Sequence, residues 1–228
     1  MVGSTPVSPA KLTAIHHVRI RQLQSEIQEK LYSPVQHSGS NDMATHTPPH
    51  DWFVSVRERL TAWRQQAPTP LGFCSTSWFD LNYHITLTLL NRPSPRNPKP
   101  GKESLRTTRQ AASAAMRTYK EMLKTGRVNW SESPAALVGH SGAEAQITTD
   151  WLAMYQLFIL GIAYLNSLWQ AAEQGWTIVT SYVEALLDVQ VCTSVMSTLS
   201  GESLIGQAAP PLISPSHHSG PHESLFRL

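Results

Sequence analysis

Cysteine is nearly absent from this chain: Cys74 and Cys192 are the only two among 228 residues. Two thiols cannot staple a small secreted scaffold or fill a multi-cysteine zinc module within these residues. Charge is sparse as well, at 15% against the ~25% usual in soluble chains. The net charge is only +2 while 41% of the residues are hydrophobic, the reverse of a disordered composition. At least part of the chain must therefore form a core. No phosphate-cradling glycine loop, G-x-G-x-x-G run or H-E-x-x-H helix occurs. The first ten residues, MVGSTPVSPA, hold no apolar run, so no secretory signal is expected. Asn129-Trp130-Ser131 then fits the glycosylation sequon only formally.

Proline, by contrast, is plentiful at 16 residues. With other turn formers it marks loops at 33–50, 91–104 and 131–150 and a Pro/Ser/His-rich stretch at 200–228. Many prolines follow Ser or Thr, as in Ser8-Pro9, Thr47-Pro48, Ser94-Pro95 and Ser214-Pro215. Such pairs favour turns, and they also suit proline-directed kinases. The expected organisation is a disordered N-terminus at 1–11, a body at 12–203 interrupted by loops at 33–50 and 131–150, and a disordered tail at 204–228.

Between the loops, apolar residues recur at helical spacing. Ile20, Leu23, Ile27 and Leu31 define one face of a helix near 12–32. Asp51 is placed to cap a second helix, with Phe53, Val56, Leu60 and Trp63 on one side. Ser104 is placed to cap an Ala-rich third that runs to Gly126. Residues 176–199 read as another, with Val179, Tyr182, Val183, Leu186, Leu187 and Val191 on its apolar side. One segment supports two readings. Leu81, Tyr83, Ile85, Leu87 and Leu89 alternate like a half-buried strand, whereas Trp78, Leu81, Ile85 and Leu89 fit a helix face. Periodicity leaves both open.

Charge is unevenly placed. Arg92, Arg96, Lys99, Lys102, Arg106, Arg109, Arg117, Lys120, Lys124 and Arg127 face only Glu103 and Glu121 in the block 92–127. Beyond it, acids dominate and Arg227 is the single basic residue. Opposite blocks imply internal pairing, a solvated face, or a basic surface for an anionic partner. No aromatic interleaving favours nucleic acid.

Three patterns imitate functional sites. WLAMYQLFILGIAYLNSLW (151–169) is uncharged and flanked by tryptophans, which suits a single membrane span. Gln156, Asn166 and Ser167, and the absence of nearby Lys or Arg, favour a core helix instead. Gly139-His140-Ser141-Gly142-Ala143 approaches the nucleophile elbow of a serine hydrolase, with Asp188 and His217 following in triad order. The last glycine of that motif is missing, and no succession of strands builds the sheet it needs. His217, His218 and His222, or His46 and His50, could ligate a metal, but a flexible segment supplies no second shell. His84 reads as a hydrogen-bonded structural histidine. Cys74 and Cys192 read as ordinary thiols, with nothing cationic beside them in sequence.

The succession SWFDLNYHITLTLLNRPSP (77–95), SLRTTRQAASAAMRTYKEMLKTGRVNW (104–130) and the 151–169 segment resembles a known family. Tyr83-His84 precede a Leu-rich stretch ending in Arg92-Pro93-Ser94. Ala111, Ala112, Ala114, Ala115, Tyr119 and Gly126 form an Ala-rich helix, and Trp151, Phe158, Gly161, Leu165 and Trp169 follow. HHVRIRQLQSEIQEKLY (16–32) and LLDVQVCTSVMSTLSGES (186–203) fit the flanks. This order is similar to the C-terminal half of the fungal-specific regulatory domain of zinc-cluster transcription factors. The resemblance implies an all-α domain of about six irregularly arranged helices. Residues 76–91 would then be helix and 151–169 a buried helix. Gly161 would admit a close neighbour, and Arg92 and Pro93 would end a helix. It also implies a non-enzymatic, nuclear transcription regulator of a kind that often controls a secondary-metabolite gene set. It carries over no catalytic, cofactor-binding or metal-ligating residue.

Two departures qualify it. The family's six-cysteine DNA-binding cluster is absent from these residues. Direct promoter reading is therefore not expected, and the implied partners are another transcription regulator or DNA-binding protein, with a small-molecule effector also implied and no membrane. Residues 131–150 are an insertion relative to the family pattern. The resemblance also stops near 203, short of the family's usual extent, so bare apolar surface is expected.

Overall fold

The computed structural model describes residues 8–33, 47–70, 75–125, 142–177 and 181–207. They form six helices, α1 (Pro9–Tyr32), α2 (His50–Gln65), α3 (Thr76–Asn91), α4 (Lys102–Lys124), α5 (Gly142–Glu173) and α6 (Tyr182–Gln207). No strand occurs among the described residues, so the fold is all-α.

Local chemistry explains where the helices start. Ser8 Oγ accepts the Lys11 N–H at 3.3 Å and Pro9 takes the first helical position, so α1 begins three residues before the expected 12. Its predicted stripe of Ile20, Leu23, Ile27 and Leu31 is buried. Helix α2 begins behind Pro49, which leaves Asp51 inside the first turn rather than at the cap. A carboxylate there still faces the positive end of the helix dipole. Helix α4 likewise starts behind Gly101, so Ser104 is its third residue and caps nothing. Gly126 and Val179 lie outside the described residues.

Residues 81–89 are helical, within α3. Their strand-like alternation arises because the intervening polar residues are buried too, and they satisfy themselves along the helix. Thr86 Oγ1 donates to the Asn82 carbonyl at 2.7 Å, Thr88 Oγ1 to that of His84 at 2.9 Å, and Asn82 Nδ2 to that of Trp78 at 2.9 Å. A helix that can bury polar side chains in this way can sit at the centre, and α3 packs against α1, α2, α4 and α5. It serves three apolar clusters, one of them through Leu90, which packs with Ile27, Leu31 and Val56. Trp78 and Phe79 join Ile20, Leu23, Leu60 and Trp63 on one side. Leu81 joins Ala112, Met116, Tyr119, Leu157, Leu160 and Val195 on the other. Arg92 caps α3 and Pro93 stops it, as the resemblance implies.

Two expectations are corrected. Helix α5 buries Ala153, Leu157, Leu160, Tyr164, Ser167 and Ala171, but Trp151, Phe158, Leu165 and Trp169 are exposed, so it is buried on one face only. Trp151–Glu173 remains long and apolar enough to cross a membrane by length and composition. Helix α6 begins at Tyr182 rather than 176, and its inward face is Asp188, Cys192, Val195 and Leu199. Tyr182, Val183, Leu186 and Leu187, predicted to be inside, are exposed. On that inward face the Asp188 carboxylate is buried and accepts from Arg117 of α4 at 2.6 Å.

Candidate functional site

Arg21, Gln24 and Gln28 are spaced at +3 and +4, so they share a stripe of α1 beside its buried one. Where this stripe meets α3 and α5 there is a cleft of about 200 Å³. Ile85 and Leu89 of α3 and Leu152, Ile159 and Leu160 of α5 give it an apolar side, and Gln156 and Arg92 add polar groups.

Each polar group is held in place by others. Arg21 Nη1 donates to Gln24 Oε1 at 2.7 Å and its Nε to His17 Nε2 at 3.2 Å. Gln24 Nε2 donates in turn to Thr86 Oγ1 at 2.8 Å, tying α1 to α3. Burial, with the Arg21 charge adding to it, holds His17 below the ordinary histidine value, consistent with a neutral ring accepting from Arg21. Arg92 Nε donates to the Tyr32 hydroxyl at 2.8 Å and its guanidinium lies 4.8 Å from the Tyr32 ring centre. Burial raises the Tyr32 phenol despite that neighbouring charge. Tyr119 donates to Gln156 Oε1, and burial pushes its phenol far above the usual range, so it stays a donor.

Six ion pairs link described residues, and neither Arg21 nor Arg92 takes part in any of them. Two guanidinium groups without a carboxylate partner among the described residues, beside amides and an aliphatic wall, can hold a small anion with an apolar body. Sequence reasoning missed Arg21, Gln24 and Gln28. Their signal was a second +3/+4 stripe, which looks like ordinary solvated surface until α3 and α5 are in place.

The imitations fare differently. Ser141, His46, His217, His218, His222 and Cys74 lie outside the described residues. Asp188, the acid of the imagined triad, is taken up by Arg117. Among the described residues no group of three potential metal ligands occurs. His84 packs edge-on against Tyr83, and its Nδ1 is buried without the hydrogen-bond partner expected of it. Cys192 is buried with its thiol 3.6 Å from the Leu157 carbonyl, and burial raises its pKa, which keeps it unreactive. Four of the ten basic residues of the 92–127 block pair with acids among the described residues. Arg109 reaches Glu184 at 3.4 Å and Arg117 reaches Asp188, while Arg106 and Lys124 pair with Glu103 and Glu121 on their own helix.

No family model matches the chain, and no solved structure matches it. Over 167 residues, 71% of its length, the chain is 21% identical to pyrimidine pathway regulatory protein 1 of Saccharomyces cerevisiae. The match covers 16% of that protein, so the chain spans only a small part of its length. A regulatory protein is thus what most of this helical chain is similar to.

Proposed function

We propose that this chain is a non-enzymatic transcription regulator, built as the regulatory domain of the fungal zinc-cluster type. The observation that carries the reading is the similarity to a regulatory protein, which extends over 71% of the chain rather than one motif. The all-α fold and the helix ended by Arg92-Pro93 are in keeping with it. The protein acts in the nucleus through another transcription regulator or DNA-binding protein, on a biosynthetic gene set of the secondary-metabolite kind. The cleft of Arg21 and Arg92 supplies the effector site, for a small anionic compound with an apolar body. No residue carries out chemistry in this reading.

Chromatin immunoprecipitation of the tagged chain tests it. Enrichment at a gene cluster is expected, and it is expected to vanish when the partner zinc-cluster factor is deleted. Enrichment that survives removal of every such factor contradicts partner dependence, and absence from chromatin contradicts the regulatory reading.

A further inference from the structure

Among the described residues, one face of α5 has no partner. Trp151, Tyr155, Phe158, Ile162, Leu165 and Trp169 follow one another at +4, +3, +4, +3 and +4, and each remains 47% to 67% exposed. At 3.6 residues per turn these six fall within an arc of about 80°. The opposite stripe, centred on Leu160, is buried against the rest of the molecule. Alternation of three and four residues is the spacing that lets two helices interlock along a shared seam.

We propose that this seam pairs with the same seam of a second copy, antiparallel, about a two-fold axis at the level of residue 160. The spacing reads the same in both directions. In the antiparallel register Trp151 meets Trp169 of the second copy, Tyr155 meets Leu165, and Phe158 meets Ile162, each pair centred on position 160. Every contact is made twice with roles exchanged, which is what a closed isologous interface requires. No charged residue lies between Asp150 and Glu173, so nothing along the seam repels a copy of itself. The area is also sufficient. Covering six such side chains removes on the order of 700 Å² per copy, close to one side of a standard interface. A lipid surface is the poorer fit, because Arg127 and Arg227 are the nearest basic residues in sequence and no cation flanks the helix to meet headgroups.

Sedimentation equilibrium of the whole chain at a series of dilutions tests the pairing. A dimer that dissociates on dilution is expected. Phe158→Lys and Ile162→Glu both change exposed positions, and each alone is expected to give a monomer with unchanged helical circular dichroism. An equimolar mixture of the two is expected to recover the dimer, because Lys and Glu then meet across the antiparallel axis while the native Phe and Ile still meet on its other side. A parallel pair would not be rescued. The proposal is overturned if the unmodified chain stays monomeric at about 100 µM, as it would if its own 208–228 segment covered the seam. It is also overturned if either single variant remains dimeric, if the mixture stays monomeric, or if the chain sediments with phosphatidylcholine vesicles instead of self-associating.

Discussion

His16 shows how much a single buried ring can decide. It stacks on Trp63 at 4.7 Å, meets Phe79 edge-on, and leaves Nε2 buried without a partner. Burial, and then the charge of Arg19, lower its pKa from 6.5, and burial lowers His17 and His84 similarly. The unfolded chain therefore binds protons that the folded chain refuses. Stability is fully present above 6.5 and is lost as pH falls from there toward the folded-state values. Each such histidine contributes a slope of at most about 1.4 kcal/mol per pH unit. His16→Phe keeps the ring stack and the Trp63 bond to the residue 16 carbonyl. Urea unfolding is expected to show little change for this variant at about pH 7.5 and a flatter decline toward about pH 5. An unchanged decline would place the titration elsewhere. Gly161 is the second such position. A Cβ there would stand 3.1 Å from Cys192 Sγ. Gly161→Ala sets about 1 kcal/mol of helix propensity against that squeeze and is expected to be nearly neutral. Gly161→Val overfills the contact and is expected to cost about 1–3 kcal/mol, with Cys192→Ala recovering part of it. Thermal unfolding of the three variants checks the order. Gly161 stood out through the family resemblance, which implied a close neighbour there, whereas the surroundings of His16 come from α2 and α3.

At the scale of whole elements, the helices were legible and their rotations only partly so. Stripes with polar opposite faces, such as that of α1, could be read directly. Helix α3 could not be separated from a strand, because its buried threonines and asparagines bond to their own helix and so erase the polar face that marks amphipathicity. Helix α6 was read inside out. Its leucines outweighed one acid in any hydrophobic count, yet Asp188 is the residue that turns inward to meet Arg117. That pair makes a specific prediction. Arg117→Met leaves a buried carboxylate without its cation and is expected to cost about 2–4 kcal/mol. Adding Asp188→Leu removes the stranded charge and is expected to restore most of the loss. Chemical denaturation of the single and double variants checks this. If the single variant is neutral, the ion pair does not set the rotation of α6, and the exposed leucines need another explanation.

At the scale of the whole molecule, three apolar clusters share one central helix, and the cleft lies where α1, α3 and α5 meet. Its polar groups come from positions far apart in sequence: Gln24 bonds to Thr86, 62 residues away, and Tyr119 bonds to Gln156. No local pattern announces such a site, which is why the helices were readable and the cleft was not. Because α1, α3 and α5 all line it, a ligand there braces three helices at once, and binding should raise the stability of the whole chain. Benzoate is a suitable probe, since it joins one carboxylate to a compact apolar ring. At tenfold over its Kd it should add about 1.4 kcal/mol, a rise of a few degrees in Tm. Benzamide has nearly the same shape without the charge and is expected to give a much smaller shift. Arg21→Met preserves most of the side-chain stem but removes the guanidinium, and it is expected to abolish the difference between the two probes. Equal shifts from benzoate and benzamide, or a benzoate shift that survives Arg21→Met, would mean that the paired arginines do not select an anion, and the effector reading of the cleft would fall with them.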